Sequence, residues 1–559
     1  MPRTLNLQTN FNSGILDPRL QARTDIKHYY QGAATATNMV TTPQGGMKRR
    51  PGMMFVDDLP GEARLAAFAF NVEQTYLIVF TNNNIAIYKD DVKQADVTTT
   101  YSTSELFEVQ WTQSADTMII VHEDHAPAKL VRGGSHTSWT LSNLSLTNIP
   151  TYDFGSGAEA VWSASRGWPK SVTFHEGRMW FGGSRSRPQT LWGSKTNDFY
   201  NFDIGTGLDD EAIDVTMDTD QVNAVTALFA GRHLQVMTTG GEFYMPDSPI
   251  TPEKSAVKRQ TLFGSKPIPP KSIDGATFFV DRTGKAVREY IYTYTEEAYT
   301  SGTVSLLASH ILNAPVDMDV LRGTPDDDSN YLYLVNGDGT VAVFNTLRSQ
   351  EVGGWTLWQT NGTIESVAVV VDEVYFVVKR TIDGTDYRFI EELNKLHYTD
   401  CSVLQTYGTA TASISNLDHL DGEECRVKAD GAVMPNATPS SGSITLSRTA
   451  SEVEVGLDFD TQITTMPLNV DFQDGPILTR KKRLVRVVLD LYESLGVFVN
   501  GNRIGDRQFG ASILDTQPQP YTGIVEIYLN GWDRLAQVTI SQQDPLPMMV
   551  IGLAIEVEA

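Results

Sequence analysis

Residues 331–345 read YLYLVNGDGTVAVFN. Aromatic and aliphatic side chains flank Asn336-Gly337-Asp338-Gly339, residue types that accept the positive φ of a tight turn. The stretch reads as strand, turn, strand. Six more segments repeat the arrangement: YLIVFTNNNIAIYK from Tyr76, TMIIVHEDHAPAKLV from Thr117, RMWFGGSRSRPQTLWGS from Arg178, HLQVMTTGGEFYM from His233, TFFVDRTGKAVREYIY from Thr277 and VYFVVKRTIDGTDYRFI from Val374. Most follow another short strand, as in RLAAFAF, FEVQW, SVTFHEG, AVTALFAG and IESVAVVV. Three or four strands recurring every ~40–60 residues is the spacing of propeller blades, whose bare sheet faces are covered by radial stacking. The chain is therefore read as all-β, with a central β-propeller-like domain of six or seven blades over residues 61–395. Two packed β-sandwiches are the competing architecture.

The flanks do not share the repeat. Residues 1–60 suggest one helix from Asp17-Pro18 to about Val40, with Leu20, Ile26 and Tyr30 on one face, and are too few to form a core alone. Residues 396–480 are rich in Thr, Ser and Asp, with short alternating strands such as SITLSRT, and read as an inserted small β domain. Residues 481–559 open with the basic strand RLVRVVLDLY, turn at Asn500-Gly501 and end on apolar LPMMVIGLAIEVEA. The first and last segments are expected to fold together as a platform domain, the last carrying apolar surface beyond its own needs.

Length and composition narrow the function classes. A chain of 559 residues, 41% hydrophobic and 20% charged, holds about two to four globular domains. MPRTLNLQTNF lacks the basic-then-apolar order of a secretion signal, and no uncharged apolar run reaches membrane-spanning length. Two cysteines, Cys401 and Cys425, neither form a disulfide framework nor match a zinc spacing. Assembly in a reducing cytoplasm is the expectation. The net charge of −24 favours solubility and argues against a sequence-reading DNA binder, which needs a basic face.

Catalytic and metal motifs are weak. His122 and His125 in HEDH stand three apart at a hairpin turn, without the four-residue spacing and third ligand of a helical metal site. His175-Glu176 also falls at a turn. DDEAID at 209–214 lacks the glycine and spaced oxygens of a calcium loop. Gly284-Lys285 has no upstream phosphate-loop glycine, GSGAEA at 155–160 precedes no βαβ helix, and G-x-S-x-G is absent. Acids are abundant, but no repeated acid motif marks the blades as a pair of glycosidase carboxylates would. No catalytic residue, metal ligand or cofactor is expected. What stands out is two cation clusters in an acidic chain, MKRRP at 47–51 and RKKRLVR at 480–486. Lys48, Arg49, Arg50, Arg480, Lys481, Lys482 and Arg483 are the candidate contacts to an acidic partner or neighbouring copy.

The sequence resembles the tail nozzle proteins of short-tailed bacteriophages, also called tail tubular protein B or packaged-DNA stabilisation proteins. The resemblance spans essentially the whole chain. It rests on NFNSGILDPRLQARTDIKHYYQGAATATNMVTTPQGGMKRRPGMMFV, QSADTMIIVHEDHAPAKLVR, GWPKSVTFHEGRMWFGGSRSRPQTLWGS, DRTGKAVREYIYTY and GWDRLAQVTISQQDPLPMMVIGLAIEVE, in that order. It implies a virion tail protein without enzymatic activity, assembled in the bacterial cytoplasm. Its partners would be five further copies in a homohexameric ring, a dodecameric adaptor above, and docked tail fibres or spikes. The ring would retain packaged double-stranded DNA and conduct it at ejection. GGMKRRPGMMFV would then tie each subunit into the platform facing the adaptor. In such a conduit an acidic wall repels phosphates, where cations would bind them. Asp209, Asp210, Glu211 and Asp214, with Asp326, Asp327 and Asp328 of TPDDDSN, are the lumen-facing candidates. The alternative is a receptor-binding or glycan-processing propeller at the tail tip.

Overall fold

Each of the seven hairpins forms the second and third strands of a four-stranded antiparallel sheet in the computed structural model. The structure describes residues 3–323, 329–469, 471–472, 475–476, 480–505 and 517–558. Six sheets are continuous in sequence, at 63–98, 110–143, 171–216, 225–261, 271–303 and 317–358. The seventh runs Thr363–Val370, Glu373–Ile382, Thr385–Asn394 and then back to Gly52–Leu59. Residues from the first strand of all seven sheets line one central cavity of about 460 Å³. The architecture is a seven-bladed β-propeller, not a pair of sandwiches.

The ring closes with a strand borrowed from the N-terminal segment. Gly52–Leu59 pairs antiparallel with the third strand of blade seven, from Asn394↔Gly52 to Arg388↔Leu59. Residues 61–395 alone would leave that blade one strand short, so the expected boundary at residue 60 cuts through a blade.

Blades six and seven also continue outward. The last strand of blade six, Val352–Trp358, runs parallel to Gly14–Ile15 and Gly32–Thr37. Thr461–Thr465, Thr539–Gln542, Val497–Val499 and Asn502–Arg503 follow, giving ten strands in all. The expected helix at 17–40 is replaced here by two short 3₁₀ turns, Pro18–Leu20 and Lys27–Gln31, and by the strand Gly32–Thr37. Alternating small residues (GAATAT) fit a slot between neighbouring strands, and tertiary pairing overrides their modest helical preference. Gly14 is required there, because a Cβ would lie 2.3 Å from Trp355 O and its φ is +59°.

Blade seven extends past Gly52–Leu59 through Asp400–Ile414, Ile444–Leu457, Cys425–Ala429 and Ala432–Ala437. Residues 396–480 are therefore no free-standing insertion. Their first part prolongs blade seven and Thr461–Thr465 joins the blade-six sheet. A further sheet orders Met39–Thr41, Met47–Arg49, Met549–Glu558, Lys482–Ser494 and Tyr521–Tyr528, with Arg3–Gln8 also on Met549–Glu558. The two ends of the chain thus lie side by side. Leu489, Leu553, Ile555, Val538 and Ile540 share one buried cluster with Phe344, Trp355 and Phe278, so this platform has a core continuous with blades five and six. Leu546, Met548, Val550 and Leu553 are all buried, each contributing roughly 1.5–3 kcal/mol of apolar burial.

The opening turn resolves more finely than its sequence suggested. Gly339 adopts φ +83°, whereas Gly337 stays outside the left-handed region. Among the described residues no helix is long and apolar enough to cross a membrane.

Candidate functional site

The cation run at 47–51 sits at the junction of propeller, platform and blade-seven extension. Met47–Arg49 pairs with Met39–Thr41 on one side and with Met549–Val550 on the other. The chain then passes Arg50-Pro51 and enters blade seven at Gly52, whose N–H donates to His397 O at 2.7 Å. A Cβ on Gly52 would lie 2.2 Å from Thr399 O, so the closing strand can pass only as glycine. The Pro-Gly pair marks a close approach of two backbones.

Arg49 and Arg50 are 5% and 1% exposed, which corrects their assignment as surface contacts for a partner. Arg50 uses all five N–H donors internally. It forms a bidentate pair with Asp400 at 2.6 and 2.8 Å and donates to Asn38 Oδ1, Gln359 O and Pro51 O. Arg49 donates to Gln542 Oε1, Asp544 O and Tyr398 O. Both guanidiniums pack on the Phe459 ring, at 4.2 and 3.7 Å from its centroid. Burial, with Arg50 beside it, pushes Arg49 down to about 10. The physical reason for the correction is partnership. A buried arginine is tolerable when its fork meets a carboxylate and carbonyls, and these lie far away in sequence.

The pair continues inward. Thr360 Oγ1 donates to Asp400 Oδ2 at 2.7 Å and accepts from Arg380 Nη1 at 3.0 Å. Arg380 in turn forms a buried bidentate pair with Glu391. Two arginines and two acids thus make a neutral chain from the N-terminal segment, through the blade six–seven linker, into blade seven.

The second run divides. Lys482 is buried and donates to Leu468 O and Asn469 Oδ1, a further correction, because it fastens the platform strand instead of meeting a partner. Lys48 is half-buried on its strand. Arg483 pairs loosely with Glu558 and donates to Asn530 Oδ1. Arg480 and Lys481 are exposed.

The acidic candidates divide as well. Glu211 is buried, and its Oε2 accepts the N–H groups of Leu208, Thr206 and Gly207 at 2.6–2.8 Å, which holds its carboxyl below the usual range. Asp214 accepts from Arg187 Nη1 and Trp192 Nε1. These two shape a loop and are withdrawn from any channel wall. Asp209 and Asp210 are exposed on the connection between the third and fourth strands of blade three. Asp326, Asp327 and Asp328 lie outside the described residues.

Sequence reasoning missed a groove of about 640 Å³ beside blade seven. Phe55, Phe389, Tyr387 and His419 form its aromatic side, and Asp58, Asp383, Asp418 and Asp421 its acidic rim. His419 stacks on Phe55 at 4.0 Å and its Nε2–H donates to Cys401 O. At the propeller's central cavity Lys271 pairs with Asp319, and Arg64 donates to the backbone carbonyls of Leu106 and Val109.

No family model and no curated protein matches the chain. Among solved structures, BBS1N crystallised with ARL6DN is similar at 9% identity and TM-score 0.37, over 62% of this chain and 98% of that one. The RRP9 WD40 repeats give 8% and 0.37, over 62% and 100%. The dihydro-heme d1 dehydrogenase NirN in complex with DHE gives 10% and 0.34, over 59% and 63%.

Proposed function

We propose that this chain is a structural subunit of a virion tail, the nozzle of a short-tailed bacteriophage. Six copies would form the lower channel beneath a dodecameric adaptor, retain packaged DNA, conduct it without reading its sequence, and dock fibres or spikes. The reading assigns no catalysis to the chain. The observation that carries it is the ordered five-segment resemblance, which covers both chain ends and several blades.

The form of the platform supports this reading. Its sheet ends on Tyr521–Tyr528, where Ile524 and Tyr528 are 63% and 70% exposed, and Leu5 and Leu7 on the opposite edge strand are 59% and 61% exposed. An open strand edge bearing apolar side chains is a surface that a neighbouring copy covers. The arginines expected at this contact instead stiffen the joint behind it. Among the described candidates, Arg480 and Lys481 are exposed cations, and Asp209 and Asp210 are exposed acids available to a lumen.

Light scattering and negative-stain images of the purified protein, alone and mixed with its adaptor, test the proposal. Rings with sixfold symmetry and a central hole are expected; a monomer under both conditions refutes it. The aromatic and acidic groove at blade seven favours the second reading, a receptor-binding or glycan-processing propeller, because ring stacking with carboxylate acceptors suits saccharides. Saccharide binding or hydrolysis by a non-ring form would select that alternative.

A further inference from the structure

The histidines of HEDH lacked a third ligand in sequence, and the fold supplies one. His122 ends the second strand of blade two and His125 begins the third, while Glu105 closes the short 3₁₀ turn Thr103–Glu105 that leads into the blade. Donor atoms of Glu105, His122 and His125 all lie within 4.8 Å of one another. His125 Nε2 is 3.1 Å from Glu105 Oε1, and His122 Nε2 is 3.3 Å from Glu108 Oε2. Ligand atoms around a zinc-sized ion stand roughly 3–3.5 Å apart, given bonds of about 2.0–2.1 Å. The His125–Glu105 pair already has that spacing, and His122 lies within 4.8 Å of both.

The surroundings orient two of these groups. Glu105 is fixed by a capping box, its Oε2 accepting both Ser102 N–H and Ser102 Oγ–H at 2.7 Å, which leaves Oε1 turned toward the histidines. His125 Nδ1 lies 3.1 Å from Thr100 Oγ1, a hydroxyl able to accept a hydrogen bond from Nδ1–H once Nε2 is given to a metal. His122 Nδ1 accepts from Asp124 N–H at 3.1 Å, a contact that must open for this ring to ligate. His122 is buried and Glu108 is 68% exposed, so the cluster has a closed floor and a solvent-facing entrance.

We propose that Glu105, His122 and His125 bind a divalent transition-metal ion of the zinc class, with Glu108 or a water completing a tetrahedral site. Two neutral imidazoles with carboxylate oxygens suit that class, where oxygen-only sets suit calcium or magnesium. The ion clasps the linker between blades one and two to the central hairpin of blade two. It is a structural site, independent of the nozzle reading.

Chelator-treated full-length protein is titrated with zinc sulfate against a chromogenic competitor, and with cobalt chloride while following visible absorption. The expected result is one ion per chain, a tetrahedral cobalt spectrum and a raised thermal midpoint. Glu105→Gln keeps the capping hydrogen bonds but removes the charged ligand, and His125→Gln removes an imidazole at a half-exposed position. Each should weaken zinc binding at least about tenfold, the scale of losing a ligand or its support, while melting like the wild type without metal. Glu108→Gln reads the fourth position: a comparable loss makes it a ligand, and an unchanged affinity gives that place to water. Absence of stoichiometric binding at micromolar zinc, or binding unaltered in Glu105→Gln/His125→Gln, overturns the proposal.

Discussion

Arg50→Ala is the most informative single change in the molecule. It removes a fully engaged guanidinium from beside Asp400, which is 0% exposed. The carboxylate keeps the Thr360 hydroxyl but loses both charge-assisted bonds, and Asn38 Oδ1 and the Gln359 carbonyl each lose a donor. Breaking one side of a buried ion pair costs about 3–5 kcal/mol, because the remaining charge is stranded. Loss of the stacking on Phe459 adds roughly 1–2 kcal/mol. The damage should be local, since Arg50 ties the platform to the closing strand and touches none of blades one to five. Hydrogen exchange should therefore accelerate in 52–59 and 400–406 well before blades three and four respond. Arg50→Met combined with Asp400→Leu removes both charges, and should recover most of the loss. An Arg50→Ala protein that melts and exchanges like the wild type, or a double variant worse than the sum of the single changes, would refute the view of this pair as the joint.

Other predictions follow from single residues. Gly339→Val should destabilise by about 1–3 kcal/mol in thermal melts, because its backbone is left-handed and its Cβ would lie 2.5 Å from Thr363 Cβ; Gly337→Val should cost less, and equal costs would contradict the turn. His419 is lowered from 6.5 to about 4, chiefly by burial, so the folded chain holds it neutral. The unfolded chain takes up a proton first, so stability is full above pH ~6.5 and falls as pH drops toward 4, by roughly 3 kcal/mol for this residue. His419→Gln should flatten that part of the stability–pH curve, and an unchanged curve would remove His419 from the account. If the chain is a DNA conduit, Asp209→Lys with Asp210→Lys should leave rings intact and slow ejection, more so at low salt; normal ejection from intact rings would show that this loop does not face the DNA.

Six of the blades were legible because each is a local object, and the seventh because its central hairpin is. Tyr331 to Asn345 contains two strands and their turn, and alternation with turn residues needs no distant partner. What stayed hidden depends on distance along the chain. Arg50 reads as a solvated cation until Asp400, 350 positions away, is placed against it. Residues 32–37 read as part of a helix because the strands they join, Thr461–Thr465 and Val352–Trp358, come hundreds of residues later. HEDH read as a turn without a third ligand because Glu105 reaches it through a linker whose path no spacing rule gives. The aromatic groove had no signal, since Phe55, Phe389 and His419 come from three separate segments.

The borrowed strand of blade seven sets an order of events during synthesis. Gly52–Leu59 leaves the ribosome early, yet its partner Thr385–Asn394 follows only about 330 residues later, a wait of tens of seconds at ~5–20 residues per second. Blades one to six can each form as they emerge, but the circle stays open until blade seven is complete. Throughout that interval Met53, Met54, Phe55 and Val56 stand on an unpaired strand, the kind of segment on which chaperones act and from which misassembly starts. A chain terminated before residue 385 could never shut its ring and would display the same sticky strand permanently. Closure thus reports that translation has passed blade seven, read out by the protein's own topology.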